Sequence, residues 1–240
     1  MSAGSDLGRC LAYIGCHLTP AAQHGDRQAQ AHARPSITLS RQTGSGAMEI
    51  ARRLAEFLHT EAPGPCGWAV FDKNLVAKML EEHDLPQQIA QFLPEDHISR
   101  IRDTVEELLG LHPPSETLIR QISETVVHLA GLGHVILVGR ATNVITQGMA
   151  NVFHVRIVAP VEKRVNQVMT VSRQSREAAL EFIRKEDAAR RRYLKDYFRC
   201  DPDDALGYDL VLNTGRFEAQ AAAHLIGEAF LAWSRRAPGK

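Results

Sequence analysis

The chain has 240 residues, room for one α/β domain with an insertion and too few for two average domains. Its 44% hydrophobic and 23% charged residues are an ordinary globular mixture, which excludes a disordered, collagen-like or coiled-coil chain. The 28 Lys and Arg balance the 28 Asp and Glu, so no net field selects nucleic acid or an anionic membrane, and any basic site must be local. The four cysteines, Cys10, Cys16, Cys66 and Cys200, form no CxxC pair. Neither a zinc site nor a redox motif is expected, and four reduced thiols in a cytoplasmic protein are the default. The eleven histidines are scattered and suggest no ligand set, so no protein-held metal is expected. No apolar run reaches the roughly 18 residues of a membrane span.

In chain order, Leu7, Leu11, Ile14 and Leu18 recur at helical spacing behind the cap Ser5 and before Pro20, which predicts a short amphipathic helix able to pack on the main domain or on a partner. Residues 21–34 carry no apolar period and read as a flexible linker, so residues 1–34 form an N-terminal extension and 35–240 the domain. From Pro35 a β-branched run, Ser-Ile-Thr-Leu-Ser, predicts a buried strand, and Ile50, Ala51, Leu54, Phe57 and Leu58 predict a helix soon after it. Further strands are predicted at Trp68–Phe71, His134–Val138, Val152–Ala159 and Tyr208–Leu212. The mostly helical stretch of residues 74–132, broken by Pro86, Pro94, Pro113 and Pro114, is too long for one crossover and reads as an inserted subdomain. Strands alternating with helices predict a parallel sheet covered on both faces.

Between the first strand and its helix lies Arg-Gln-Thr-Gly-Ser-Gly. A glycine turn there brings backbone N–H groups and a helix N-terminus together, a natural place for a phosphate. Measured against GxxxxGK[ST], with Gly46 as the last glycine, the chain has Arg41 at the first glycine, Ala47 at the lysine and Met48 at the magnesium-binding hydroxyl. All three positions depart. Gly44, Ser45 and Gly46 therefore read equally as a tight turn or a phosphate cradle. Arg41, the one cation in the turn, favours an anion and is the candidate to replace the lysine.

Two basic stretches follow. Lys163 and Arg164 open the helix after the fourth strand, either as a solvated helix start or with an arginine facing the same phosphates. Arg184 to Arg199 sets Arg184, Lys185, Arg190, Arg191, Arg192, Lys195 and Arg199 against Glu186, Asp187 and Asp196. Such a run is either a solvated helix face or a polyphosphate-binding cluster.

The blocks ITLSRQTGSGAMEIA, FDKNLV, VILVGRATNVI, VFHVRIVAPVEKRV, IRKEDAARRRYLKDYF and YDLVLNTGR, in that order over about Pro35 to Phe230, resemble the cytidylate kinase-like family. The resemblance implies a three-layer α/β P-loop NTPase fold with a five-stranded parallel sheet, a helical acceptor-binding insertion (about residues 74–132) and a helical lid (about residues 173–199). It implies that Gly44, Ser45 and Gly46 cradle donor phosphates, with Arg41 beside them. Asp72 and Arg140 would contact an acceptor nucleotide, Arg190 and Arg191 the transferred phosphoryl group, and Asn213 and Thr214 the donor base. From the residues alone, Asp72 also reads as a helix N-cap, Arg140 as a salt-bridge partner and Asn213 with Gly215 as a turn. Cytidylate kinases proper carry the loop lysine and an Asp on each side of the Gly-Arg pair, where this chain has Ala47, Val138 and Ala141.

The expected activity is transfer of the ATP γ-phosphoryl group to CMP or dCMP with ATP and Mg²⁺ as cofactors. The competing expectation is a nucleotide-binding regulatory protein that kept the fold and lost turnover. Expected partners are nucleotides, with neither nucleic acid nor membrane, and the N-terminal helix is the element suited to dock a second copy or another protein.

Overall fold

The computed structural model describes residues 3–17, 34–72, 114–139 and 141–235. Five strands, β1 (Ser36–Arg41), β2 (Ala69–Asp72), β3 (Val135–Val138), β4 (Val152–Val158) and β5 (Leu210–Asn213), form one parallel sheet in the order β2-β3-β1-β4-β5. The helices are α1 (Ala3–His17), α2 (Ala47–Glu61), α3 (Pro114–Leu132), α4 (Thr142–Ile145), α5 (Val161–Ser172), α6 (Arg176–Phe198) and α7 (Ala219–Ser234). Strand β1 lies in the middle, with β3 and β2 on one side and β4 and β5 on the other. Its carboxyl end is therefore the switch point at which open parallel sheets bind ligands.

The two faces of the sheet differ chemically. On one, Ile37 and Leu39 of β1, Ile136 and Val138 of β3, and Phe153, Val155 and Ile157 of β4 pack under Ile50, Leu54 and Leu58 of α2 and Ile226 and Phe230 of α7. Helices α2 and α7 touch so closely that a Cβ at Gly227 would lie 2.3 Å from the Phe57 ring. On the other face, α3 contributes Ile119, Val126, Val127, Leu129 and Ala130, and α6 contributes Leu194 and Phe198 from its last turns.

There β1 presents Ser36, Thr38 and Ser40, all buried. Each has a partner: the Ser36 hydroxyl donates to the Ala130 carbonyl at 3.0 Å, Thr38 Oγ1 lies 2.8 Å from His154 Nδ1, and Ser40 Oγ accepts from Arg156 Nη1 at 3.0 Å. Burial lowers the His154 pKa against the opposing charge of Asp209. A third, small cluster of Val165, Val168, Ala179 and Ile183 fastens α6 to α5.

Three sequence expectations are modified. Helix α1 buries Cys10, Tyr13 and Ile14 and leaves Leu11 exposed, so its inner stripe is turned from the Leu7, Leu11, Ile14, Leu18 reading. The Tyr13 ring lies edge-on to Phe71 of β2, and its hydroxyl donates to the Gly133 carbonyl. Cys16 and Cys66 are joined in a disulfide across 50 residues of sequence, where four free thiols were expected. Of the stretch read as an insertion, Pro114–Leu132 is α3 and belongs to the core; the remainder, like most of the linker, lies outside the described residues.

Candidate functional site

The turn between β1 and α2 is fixed by its glycines. Gly44 has φ 79°, and a Cβ there would sit 2.5 Å from the backbone oxygen of Arg164, so any side chain would meet both a strained dihedral and the first turn of α5. Gly46, also at φ 79°, is the N-cap of α2 and supplies no side-chain cap. The first N–H groups of a helix lack intrahelical partners, so those of α2 are offered to a ligand at the positive end of its dipole. Gln42 ties the turn to β4: its amide donates to Ile157 O at 3.1 Å, and its side-chain oxygen accepts from the Ala159 amide at 3.1 Å. Ser45 Oγ is buried without a hydrogen-bond partner. Ala47 is buried, and Met48 packs against the apolar cluster under α2 and α7.

Two helices bring arginines to this turn. Arg164, in the first turn of α5, donates from Nη1 to Thr43 O at 3.3 Å and to Asp187 Oδ2 at 2.6 Å, and its Nε is buried with no partner. Arg190, 8% exposed, donates from Nη1 to Arg41 O at 3.3 Å, Thr43 Oγ1 at 3.0 Å and Asp187 Oδ1 at 2.9 Å. Asp187 Oδ1 also accepts the Thr43 amide at 2.9 Å and the Thr43 hydroxyl at 2.7 Å. Burial works against the Asp187 charge, yet the bonds from Thr43 and from Arg164 outweigh it and hold the carboxyl below the ordinary carboxylate range.

The other sequence candidates distribute around the carboxyl ends of the strands. Arg41 closes β1 and Asp72 closes β2, both half-buried. Arg140 lies outside the described residues. Asn213 ends β5, exposed, and its side-chain oxygen accepts from the Gly215 amide at 2.9 Å. Thr214 is buried, with its hydroxyl on Val158 O at 3.3 Å and its carbonyl accepting Lys163 Nζ at 2.6 Å. Arg191 is separated from its neighbour: successive helical residues point about 100° apart, and its Nη2 pairs at 2.6 Å with Asp203 on the exposed side.

Two groups escaped the sequence reading. One is Asp187, counted there only as part of the charge balance. The other is Arg156 of β4, 5% exposed, which joins Ser40 to Asp203 (3.0 Å from Nη2) and lies with its guanidinium 5.9 Å from the centre of the Tyr208 ring. Burial opposes the Asp203 charge, but the Arg191 bond and the charges of Arg156 and Arg191 hold its carboxyl low. An arginine inside the buried run VFHVRIV, near the carboxyl end of a central strand, was the available signal.

The model of the cytidylate kinase-like family matches residues 36–216, three quarters of the chain, from β1 through the turn after β5. The chain belongs to this family. Cytidylate kinase of Methanocaldococcus jannaschii is 22% identical over 157 residues, covering 64% of this chain and 88% of that one. An uncharacterized protein from Eubacterium ventriosum, known by crystal structure, shares the fold at TM-score 0.60 and 19% identity, with 83% of this chain and 99% of that chain covered. A 113-residue match at 28% identity to uronate isomerase of Corynebacterium glutamicum spans 47% of this chain and only 22% of that one, so that enzyme's reaction carries no weight here. This family member has a five-stranded parallel P-loop kinase fold, and its family supports a nucleotide kinase. No helix among the described residues is long and apolar enough to cross a membrane.

Magnesium is the ion this fold implies. The described residues do not fit a loop-held Mg²⁺: Met48 stands at the hydroxyl position, Asp187 is committed to two guanidiniums, and no three His, Cys, Asp or Glu side chains group around a vacant point.

Proposed function

We propose that the protein transfers the γ-phosphoryl group of ATP to a nucleoside monophosphate, with CMP or dCMP as acceptor. The observation that carries this is convergence on one turn: α2 begins at Gly46 with no side-chain cap, and the Arg164 and Arg190 guanidiniums brought by α5 and α6 bond the Thr43 and Arg41 carbonyls of the same turn. Phosphoryl transfer needs positioning and charge neutralisation more than covalent chemistry. The α2 amides would hold the donor phosphates, while Arg164, Arg190 and Arg41 would offset charge that a lone lysine meets elsewhere. Arg190 is the lid arginine already on the turn; Arg191 would have to leave Asp203 to join it. Asp72 and Arg140 would contact the acceptor. Asn213 and Thr214 would flank the donor base through the turn that Lys163 braces. An acceptor phosphate is an anion at neutral pH, so no general base is required. Magnesium would arrive with ATP, held by phosphate oxygens and water. Nucleotide substrates support a cytoplasmic setting.

A coupled ADP-release assay across the common nucleoside monophosphates, run beside titration with a non-hydrolysable ATP analogue, tests the reading. Turnover greatest on CMP or dCMP supports it. Ala47 and Met48 at the lysine and hydroxyl positions favour a second reading, a nucleotide-binding regulatory protein, and analogue binding without turnover on any acceptor would select it.

A further inference from the structure

Asp187 has no assigned part in the reaction, yet it is the most heavily bonded carboxylate at the turn. It receives four hydrogen bonds from three elements: the amide and hydroxyl of Thr43 in the turn, Arg164 of α5 and Arg190 of its own helix. Each guanidinium uses a single nitrogen, Nη1, to hold both Asp187 and a carbonyl of the turn, Thr43 O for Arg164 and Arg41 O for Arg190. The buried, unpartnered Nε of Arg164 marks a donor to which no protein group answers.

Two guanidiniums meeting one backbone turn repel each other, and without a shared anion each would swing toward water or toward whatever phosphate arrived first. A carboxylate between them fixes both while leaving the trio one net positive charge. That arrangement has two opposite consequences. It weakens the attraction of the site for a ground-state polyphosphate, because one negative charge already sits there. It also removes the reorganisation that the cations would otherwise undergo as charge develops on the transferred oxygens.

We infer that Asp187 is a positioning residue that gives up donor affinity to hold Arg164 and Arg190 in the geometry of the transition state. The inference rests on the kinase reading above. Its signature is a split: Asp187→Asn, nearly isosteric and uncharged, lowers kcat by about ten- to a hundredfold, as small misplacements of catalytic groups do, while binding of an ATP analogue tightens a few-fold. Asp187→Glu, which keeps the charge, returns analogue binding to the wild-type value and recovers part of the turnover.

The experiment measures kcat with the acceptor that the wild type uses, the Kd of the non-hydrolysable ATP analogue by calorimetry, and Tm for Asp187→Asn, Arg164→Gln and the double variant. Non-additive Tm shifts together with the kcat-against-Kd split support the inference. Analogue binding that weakens in step with kcat, additive Tm shifts, or wild-type values in both assays overturn it. A wild type without turnover defeats the kinase reading alone. Asp187 is then judged by its other two readouts, since tighter analogue binding with Arg164 coupling supports the charge trade and weaker binding or additivity ends it.

Discussion

The two faces of β1 are built from the same strand and do different work. Ile37 and Leu39 enter a cluster of aliphatic and aromatic side chains between α2 and α7, where burying each large side chain contributes about 1.5–3 kcal/mol. Ser36, Thr38 and Ser40 enter the opposite layer, where each meets a polar partner, ending at Arg156 beside the carboxyl edge of the sheet. Hydrogen bonds exchanged for those with water stabilise by only about 1 kcal/mol each. Such a row is poor material for stability and good material for fixing position, because hydrogen bonds are directional and short in reach. The apolar face holds the sheet, and the polar face sets where its carboxyl edge points.

The largest effect should come from breaking the apolar face. Phe230 is fully buried and meets Trp68 and Phe153 edge-on. Phe230→Ala should cost about 3–5 kcal/mol, read by chemical denaturation, with little change in turnover per folded molecule. A loss below about 1 kcal/mol would mean that the stability of the domain resides elsewhere.

The site offers an internal comparison between adjacent residues. Arg190→Ala should lower turnover by about a hundred- to a thousandfold, equivalent to roughly 3–4 kcal/mol at the transition state, with a much smaller effect on ATP-analogue binding. Arg191→Ala, which releases an exposed pair with Asp203, should change turnover less than tenfold. Equal effects of the two substitutions would mean that α6 must rotate or unwind before reaction. The anchoring of Leu194 and Phe198 in the core argues against wholesale movement of residues 173–199. If the lid closes, its motion is confined to the part of α5 and α6 outside that core.

How much of this was legible in sequence follows from the range of each interaction. The strands were readable because apolar runs and their breakers act within a few residues, and each lies within two residues of its expected start. The turn was readable because only glycine serves at Gly44, although the Arg164 carbonyl that a Cβ there would meet belongs to an element far away in sequence. The stripe of α1 was misphased because leucines counted for more than Cys10 and Tyr13, whose value depends on Phe71 and Gly133 being opposite. The Cys16–Cys66 pair carried no short-range spacing at all. In the basic run, composition gave the number of cations but not their rotation about α6, so Arg190 and Arg191 looked alike and Asp187 looked like a counterion.

A smaller effect should appear in acid. Burial, with the nearby charges of Arg34 and His17, lowers the His134 pKa to about 4. Its ring lies edge-on to Trp68, at the rim of the apolar cluster. The folded protein then refuses a proton that the unfolded chain accepts near pH 6.5. The sign follows: stability attributable to His134 is full above about pH 6.5, falls as pH drops toward 4, and levels below that. Partial exposure of the ring limits the loss to about 1–2 kcal/mol. Denaturation at pH 7 and pH 4.5 should show this fall in the wild type and a smaller one in His134→Asn, which tolerates the positive φ of 54°. An identical fall in both would assign acid sensitivity to other groups, His154 on the polar face among them.

The smallest stability change, and the sharpest separation of the two faces, is expected at Arg156. Removing one member of a buried ion pair ordinarily strands the other at a cost of several kcal/mol. Here the partner is not stranded, because Asp203 is 45% exposed and keeps its bond to Arg191. The methionine of Arg156→Met would fill much of the same volume and remove a guanidinium whose Nε has no partner, so the change should lie within about 1 kcal/mol of neutral. Ser40, paired in register with Arg156, would lose the shorter of its two donors and keep only the Tyr208 hydroxyl at 3.4 Å, one residue before Arg41. The strand end that launches the glycine turn would be freer, and turnover should fall at least tenfold, since displacements of about 1 Å are that costly in a positioned site. Stability measured by urea unfolding and kcat measured on the same preparation test the pair of expectations. A loss of several kcal/mol with unchanged kcat would make Arg156 a structural strut and return the polar face of β1 to the work of its apolar one.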